Sequence, residues 1–317
     1  MTLVSLVIPT HNEAQNIALL HQRIVETFKT LSSYDFELIF IDDSLDDTPA
    51  IIKQCREADR RVKLIRLTRS FGQAIALAAG LKAAKGQAII MMDADLQDPP
   101  ECIPQLLERW EHGYKLVYVE RSSSDRSLIY KFCAKFFYRL LKKISYISIP
   151  IDAGEFRLLD RKIVDFLNGL KEHSRFMRGL TVWPGWPTDR IVICRAERAH
   201  GQTNYNFKRS LGVALDGFIS FSTIPLRIAT GLGFMLSILS MLGGFIYFIC
   251  WLFKLYEFGS GWTSLFLSGV FIGSLNLMCL GIIGEYLGRC FTELQGRPLY
   301  LIDYSIGLDS EDSEHHE

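Results

Sequence analysis

Two runs without a charged residue, 228–253 and 258–284, constrain this chain more than any other feature of it. Each exceeds the roughly 20 residues a helix needs to cross about 30 Å of hydrocarbon. A long helix in a soluble core normally shows a charged or polar stripe toward water. The four residues Lys254-Leu255-Tyr256-Glu257 that separate the runs are too few for a domain, so the pair reads as a transmembrane helical hairpin with both ends on one side. Lys208, Arg209 and Arg227 precede it and Arg289 and Arg297 follow it, whereas the turn carries one Lys and one Glu. That asymmetry places the flanks in the cytoplasm.

The rest of the chain must then fold on that side. No basic segment precedes the first apolar stretch, Val4-Ser5-Leu6-Val7-Ile8, so no cleaved signal is expected. Over the first 120 residues, short β-branched runs alternate with amphipathic ones. Strands are predicted at 4–8 (ended by Pro9), 36–41, 62–67, 88–92 and 116–119, with helices near 14–30, from Thr48 and Pro49 as cap and first residue, near 72–84 and near 101–111. Such alternation predicts a mostly parallel sheet with helices on both faces. Further helices are expected over about 128–143, which mixes five basic residues with aromatics, over about 161–170, and over about 211–219, lying in the membrane interface.

Basic and acidic residues balance at 35 each, but five of the acids crowd into 309–317, a solvated tail. The seven cysteines are scattered without a C-x-x-C pair, and the histidines show no metal-ligand spacing, so small buried hydrophobes in a reducing compartment describe the thiols.

Three polar clusters follow directly on predicted strands: Thr10-His11-Asn12-Glu13, Asp42-Asp43-Ser44 and Asp93-Ala94-Asp95-Leu96-Gln97-Asp98. In an open parallel sheet the carboxyl ends of the strands line one crevice, where ligands bind. Neither G-x-G-x-x-G nor a Walker A sequence is present, so phosphate is not cradled by a Gly-rich turn. Asp93 and Asp95 offer another device. Two hard carboxylates hold Mg²⁺ or Mn²⁺ and leave coordination sites for a diphosphate. As caps for the following helix, one of the two would suffice. A fourth cluster, Asp152-Ala153-Gly154-Glu155-Phe156-Arg157, reads on its own as a turn with an ion pair. Arg195, Arg198, Lys208 and Arg209 flank Gly201-Gln202-Thr203-Asn204-Tyr205 beside the membrane, a basic loop suited to a lipid phosphate.

Taken together, 7–13 (Val-Ile-Pro-Thr-His-Asn-Glu), 41–48 (Ile-Asp-Asp-Ser-Leu-Asp-Asp-Thr), Arg69-Ser70-Phe71-Gly72-Gln73, 93–100 (Asp-Ala-Asp-Leu-Gln-Asp-Pro-Pro), Gly154-Glu155-Phe156-Arg157-Leu158 and 221–227 (Phe-Ser-Thr-Ile-Pro-Leu-Arg) resemble the family 2 glycosyltransferases. More narrowly they resemble the polyprenyl-phosphate group, with bactoprenol glucosyltransferases and dolichol-phosphate mannose synthases. The resemblance implies a glycosyltransferase A-type, Rossmann-like domain over 1–204, an amphipathic juxtamembrane segment over 205–227, two membrane helices over 228–287 and a cytosolic tail over 288–317. It implies inverting transfer of a hexose, glucose from UDP-glucose first, to a polyprenyl phosphate such as undecaprenyl phosphate at the cytoplasmic membrane face. An amino or N-acetyl sugar, or mannose, is the alternative. By the same resemblance Pro9, Thr10, Glu13, Asp42, Asp43, Arg69, Gln73 and Asp93 would bind the nucleotide-sugar. Asp93, Asp95 and Gln97 would hold the metal, Asp95, Asp152, Glu155 and Arg157 would act in catalysis, and Arg121, Arg126, Arg195, Arg198 and Lys208 would meet the acceptor phosphate.

The lipid phosphate acceptor is already anionic, so positioning and charge neutralisation supply most of the rate, with little need of a general base. Two positions depart from the family pattern. Glu155 stands where relatives often carry Asp, and Asn204 where they carry a phosphate-binding Lys. A processive polysaccharide synthase would share the nucleotide site but needs more spans and a Gln-x-x-Arg-Trp segment, both absent from this sequence. A non-catalytic membrane scaffold would have no use for the Asp93/Asp95 pair. No nucleic acid partner is expected. Gly231, Gly233, Gly243, Gly244, Gly269 and Gly273 permit close helix packing, within the hairpin or in a homo-oligomer.

Overall fold

The computed structural model describes residues 1–122, 153–173, 175–194, 224–253 and 261–308. The helices expected over 128–143 and 211–219 and the acidic tail lie outside these residues. The chain divides into two compact units, Met1–Val213 with Arg297–Glu317, and Ala214–Gly296.

The first unit alternates β1 (Thr2–Thr10), α1 (Ala14–Lys29), β2 (Tyr34–Asp42), α2 (Thr48–Ala58), β3 (Val62–Leu67), α3 (Gln73–Ala83) and β4 (Ala88–Met91). A 3-10 turn (Pro100–Cys102) leads into α4 (Ile103–Glu111), followed by β5 (Leu116–Ser122), β6 (Ala153–Asp160), α5 (Arg161–Gly169), the single turn α6 (Met177–Leu180) and β7 (Thr188–Cys194). The second unit is α7 (Ile224–Leu252) and α8 (Trp262–Leu294), after which β8 (Ile302–Ile306) rejoins the first.

The eight strands form one sheet in the order β7-β5-β6-β4-β1-β2-β3-β8. The pairings β1–β2, β1–β4 and β2–β3 are parallel, as the alternation predicts, because each crossover carries a helix or a longer excursion, and β5 pairs in parallel with β7, a strand the sequence pattern does not predict. The expected sheet needs correcting at two places. Between β4 and β5 lies β6, antiparallel to both, and β8 closes the edge antiparallel to β3. Residues 153–157, read as a turn, thus start a central strand. The stretch was hard to read because Glu155 and Arg157 interrupt its apolar run. Residues 302–306, assigned to the tail, alternate Ile302, Tyr304 and Ile306 in the pattern of a half-buried strand.

Helix α1 buries Asn16, Ile17, Leu20, Ile24, Thr27 and Phe28, the helical i, i+3, i+4 stripe, against Val4, Leu6, Ile8, Phe40 and Ile90 of the sheet. The other face meets α3, six of whose eleven residues are Ala or Gly, and which comes very close. A Cβ on Gly80 would stand 2.5 Å from Ile41 Cδ1. At the amino edge, Glu37 is 4 % exposed and accepts hydrogen bonds from Ser5 Oγ (2.5 Å), Lys63 Nζ (2.6 Å) and the Lys85 amide (2.7 Å). This buried carboxylate is tolerated because it is fully paired.

Two local expectations shift. Strand β1 runs through Pro9 to Thr10, whose hydroxyl bonds Asp42 (2.9 Å) and whose carbonyl accepts the Asp43 amide (3.3 Å). Thr48 does not cap α2 but is its first residue. Its hydroxyl accepts the Glu13 amide (3.0 Å) and donates to Asp46 Oδ1 (2.5 Å), tying α2 to the loop after β1.

In the second unit α7 and α8 pack on each other, with Cys279 Sγ 3.9 Å from the Ala229 carbonyl. Among the described residues one helical segment, Ser268–Leu294, is long and apolar enough to cross a membrane.

Candidate active site

Strand directions decide which residues meet. β5 is parallel to β7 and antiparallel to β6, which is antiparallel to β4. The carboxyl ends of β1 to β5 and β7 therefore share one edge with the amino ends of β6 and β8. The β4–β6 ladder ends at Met91↔Arg157, so Glu155, two residues before Arg157, lies at the same edge as Asp93, two residues after Met91. The fourth polar cluster, distant in sequence, thus joins the three that follow β1, β2 and β4.

At the end of β2, Asp42 is wholly buried. It accepts hydrogen bonds from Thr10 Oγ1 and Ser44 Oγ (2.5 Å) and pairs with Arg66, whose guanidinium also donates to the Ser44 carbonyl (2.5 Å). Asp42 and Thr10 are therefore struts inside the crevice floor. Ser44, of the same polar cluster, and Arg66, which no sequence motif marks, complete that brace. Asp43 Oδ1 faces His11 Nδ1 at 2.7 Å, and His11 is more than half exposed. Ser44 Oγ accepts the Asn12 amide (2.8 Å), and Asn12 Oδ1 accepts the Leu45 amide (2.9 Å). The loops after β1 and β2 are thereby laced together. Glu13 accepts a hydrogen bond from Asn16 Nδ2 at 2.6 Å, and Pro9 is partly buried.

The turn after β4 is built differently from a helix cap. Neither the 3-10 turn nor α4 has a side-chain cap hydrogen bond. Instead Asp95 Oδ1 accepts the Gln97 amide (3.1 Å) and the fully buried Asp98 accepts the Asp93 amide (3.4 Å). Leu96 between them sits at φ 61°, and Asn12 across the crevice at φ 59°; among the described residues these are the two non-glycines in the left-handed region. A branched side chain there costs of order 1 kcal/mol or more, and such strain gathers at functional sites. Its effect here is to turn the backbone between Asp95 and Gln97. Asp93 and Asp95 stay partly exposed, while Gln97 is 6 % exposed.

Gln73, the first residue of α3, donates Nε2 to Asp93 Oδ1 at 2.6 Å. Gly72 just before it takes φ 92°, which glycine alone adopts freely, and lets the chain swing into α3. Arg69 stacks on Phe71, its guanidinium carbon 4.0 Å from the ring centroid. Glu155 accepts Arg178 Nε (2.8 Å) and lies 3.6 Å from Arg157 Nη2. Arg157 is buried, with Nη1 on Thr181 Oγ1 (2.9 Å) and Nη2 on the Gly154 carbonyl (2.6 Å). Burial pulls its pKa down from the usual arginine value, against the pull of Glu155. Arg157 is therefore a support for Glu155 from below. Arg121 lies at the end of β5 on this edge; Arg126, Asp152, Arg195, Arg198 and Lys208 lie outside the described residues.

A divalent cation fits this turn by the chemistry of its donors. Asp93 and Asp95 present two hard oxygens at a partly exposed lip, and Gln73 orients the first of them. Among the described residues no group of three or more His, Cys, Asp or Glu is arranged to hold a metal by itself. Further ligands would have to come from elsewhere, such as a bound diphosphate and water.

The model of the glycosyl transferase family 2 matches residues 5–167, which span all four of these clusters. The chain belongs to that family. It is a glycosyltransferase, with a glycosyltransferase A-like α/β fold. Relatives match it nearly end to end. A glycosyltransferase of Synechocystis sp. is 40 % identical over 96 % of this chain and 96 % of its own length. A prophage bactoprenol glucosyl transferase homolog of Escherichia coli is 40 % identical over 94 % of this chain and 98 % of its own, and the bactoprenol glucosyl transferase of Shigella phage SfII is 39 % identical over 95 % and 98 %.

Proposed function

We propose that this glycosyltransferase moves glucose from UDP-glucose to a polyprenyl phosphate, undecaprenyl phosphate, at the cytoplasmic face of the cell membrane. The observation that carries the reading is the convergence of the Asp93-Ala94-Asp95 turn, Gln73 and Glu155 on one edge of the sheet in a chain that also carries two long apolar helices. The names borne by the phage and prophage relatives support the lipid acceptor.

At the proposed donor site Asp43, Glu13, Pro9 and Arg69 contact the nucleoside and diphosphate, over a floor held by Asp42, Thr10 and Arg66. Asp93 and Asp95, with Gln97 behind them, hold Mg²⁺ or Mn²⁺. When bound, that cation neutralises the diphosphate and stabilises the charge it takes on leaving. An oxygen of the lipid phosphate attacks the anomeric carbon from the face opposite the diphosphate. The new C–O bond forms as the bond to the β-phosphate breaks, and UDP departs with the electron pair. No proton moves, so the chain's task is to align two anions and balance their charge. Arg121, Arg126, Arg195, Arg198 and Lys208 are the cations assigned to the acceptor.

Two observations support the membrane reading: Ser268–Leu294 is long and apolar enough to cross, and Arg297–Glu317 belongs to the same compact unit as Met1–Val213. At 1.5 Å per residue both helices exceed the roughly 30 Å hydrocarbon thickness. They are proposed to cross as a hairpin.

The test is transfer of labelled sugar from a panel of UDP-sugars into an organic-extractable lipid, with Mg²⁺ or Mn²⁺ and with EDTA. Labelled lipid from UDP-glucose, abolished by EDTA, is expected. Asp93→Asn and Asp95→Asn each lower the rate by about 100-fold or more, as loss of several kcal/mol of charge stabilisation requires. No labelled lipid from any of the sugars sinks the proposal, and label in a polymer points to a synthase.

A further inference from the structure

Arg178 belongs to none of the motifs that mark the family in the sequence, yet it makes the shortest side-chain contact recorded for Glu155. It sits on α6, the single turn after α5, and its Nε lies 2.8 Å from Glu155 Oε1. Glu155 is held from the other side by Arg157 at 3.6 Å. The two guanidiniums differ in setting. The side chain of Arg157 is 3 % exposed and anchored to Thr181 and Gly154, whereas that of Arg178 is 31 % exposed at the crevice edge. Thr181 Oγ1 also donates to the Met177 carbonyl at 2.9 Å, so α6 and Arg157 form one frame around the carboxylate.

A glutamate side chain has three rotatable bonds, and ordering it costs of order 1.5–2 kcal/mol. The hydrogen bond from Arg178 restricts that freedom here, with the charge of Arg157 3.6 Å away on the other side. Glu155 precedes the last pair of the β4–β6 ladder, Met91↔Arg157, at the edge where Asp93 follows β4, and the Asp93 carboxylate is oriented by Gln73 from the start of α3. Helices on one face of the sheet thus supply one orienting partner to each carboxylate across the crevice.

We propose that Arg178 is a positioning residue that fixes Glu155 toward the sugar of the bound donor, where the carboxylate accepts hydrogen bonds from hexose hydroxyls. This rests on the donor site proposed above. With its charge matched by Arg157 and Arg178, Glu155 stands near an anionic acceptor without repelling it.

The experiment uses the full chain in detergent with UDP-glucose, Mn²⁺ and undecaprenyl phosphate, and the variants Arg178→Gln, Arg178→Lys, Glu155→Gln and the Arg178→Gln/Glu155→Gln pair. Arg178→Gln is expected to lower kcat by about 10- to 100-fold, the scale of one lost charge-assisted hydrogen bond. The affinity for UDP with Mn²⁺, measured calorimetrically, and the melting temperature stay close to the parent, and Arg178→Lys recovers part of kcat. The double variant is no slower than Glu155→Gln alone, because one partner is useless without the other. Multiplicative losses in the double variant would overturn the proposal, as would a melting temperature that falls in step with activity. If the parent itself binds no UDP or makes no lipid product, the donor site fails first, and that outcome is told apart by the parent's own controls.

Discussion

Gly80 offers the sharpest test of how α3 is seated. It lies in the third turn of a helix whose buried residues are Ala and Gly apart from Leu77 and Leu81, and Gly80→Ala adds one methyl group. That methyl would lie 2.5 Å from Ile41 Cδ1 and 3.1 Å from Ile41 Cγ1, with Val7 Cγ1 closer still. Carbon atoms pack at about 3.5–4.0 Å, so α3 must withdraw by about 1 Å or both branched side chains must leave their rotamers. Overpacking of this kind costs about 1–3 kcal/mol. Alanine also gains about 1 kcal/mol over glycine inside a helix. With two branches struck at once the clash lies toward the upper figure, and the net loss is about 1–2 kcal/mol. For a domain of this size that is a fall of about 2–8 °C in melting temperature. The displacement has a functional consequence. Gln73 opens α3 and reaches Asp93 at 2.6 Å, and a withdrawal of about 1 Å takes that pair beyond hydrogen-bonding distance. UDP affinity with Mn²⁺ should therefore weaken in Gly80→Ala as it does in Gln73→Ala, while Gln73→Ala leaves the melting temperature near the parent's. Gly169, with no atom within 4 Å of its added methyl, is the control, and Gly169→Ala should be neutral or stabilising. Scanning fluorimetry and calorimetry read both quantities. A melting temperature that rises in Gly80→Ala would show helix propensity winning, and would refute the close seating of α3 on β1 and β2.

Stability should also carry a pH signature at Asp59. Burial pushes this carboxyl up, but hydrogen bonds from the Arg61 side chain and backbone and from His21 outweigh burial and hold it at about 2. Its contribution is therefore full above about pH 4 and is lost as pH falls toward about 2. Since Arg61 is 41 % exposed, screening leaves the contribution at about 1 kcal/mol. Asp59→Asn melts lower than the parent at pH 7, and the two converge as pH approaches 2; parallel curves would refute the pairing. At the sheet edge, Tyr304 of β8 lies under Lys53 Nζ, 4.5 Å from its ring centroid, and packs against the core. Tyr304→Ala should cost about 1–3 kcal/mol and loosen the antiparallel edge on β3, seen as faster amide exchange at Leu64–Leu67. Unchanged exchange there would mean that β8 adds nothing to the sheet.

The sequence by itself was enough for the elements that repeat a local pattern. The strand–helix alternation through β5 follows from period-two and period-3.6 spacing, and the two long helices from the absence of charge between 228 and 253 and between 258 and 284. The Asp93/Asp95 turn was legible too, since no local role accounts for both acids before Pro99-Pro100. What the sequence could not reveal is anything set by pairing between distant segments. Glu155 reads as part of a turn until β6 inserts antiparallel beside β4 and brings it to the edge where Asp93 follows β4. Arg178 carries no signal, because its importance is a single 2.8 Å contact made by a helix of one turn. Asp42 reads as a ligand-binding acid and turns out to be a buried brace for Thr10, Ser44 and Arg66, since exposure depends on what covers a residue. Local periodicity records which face of an element is apolar; only the assembled sheet determines which edges meet, and the site is made at those edges.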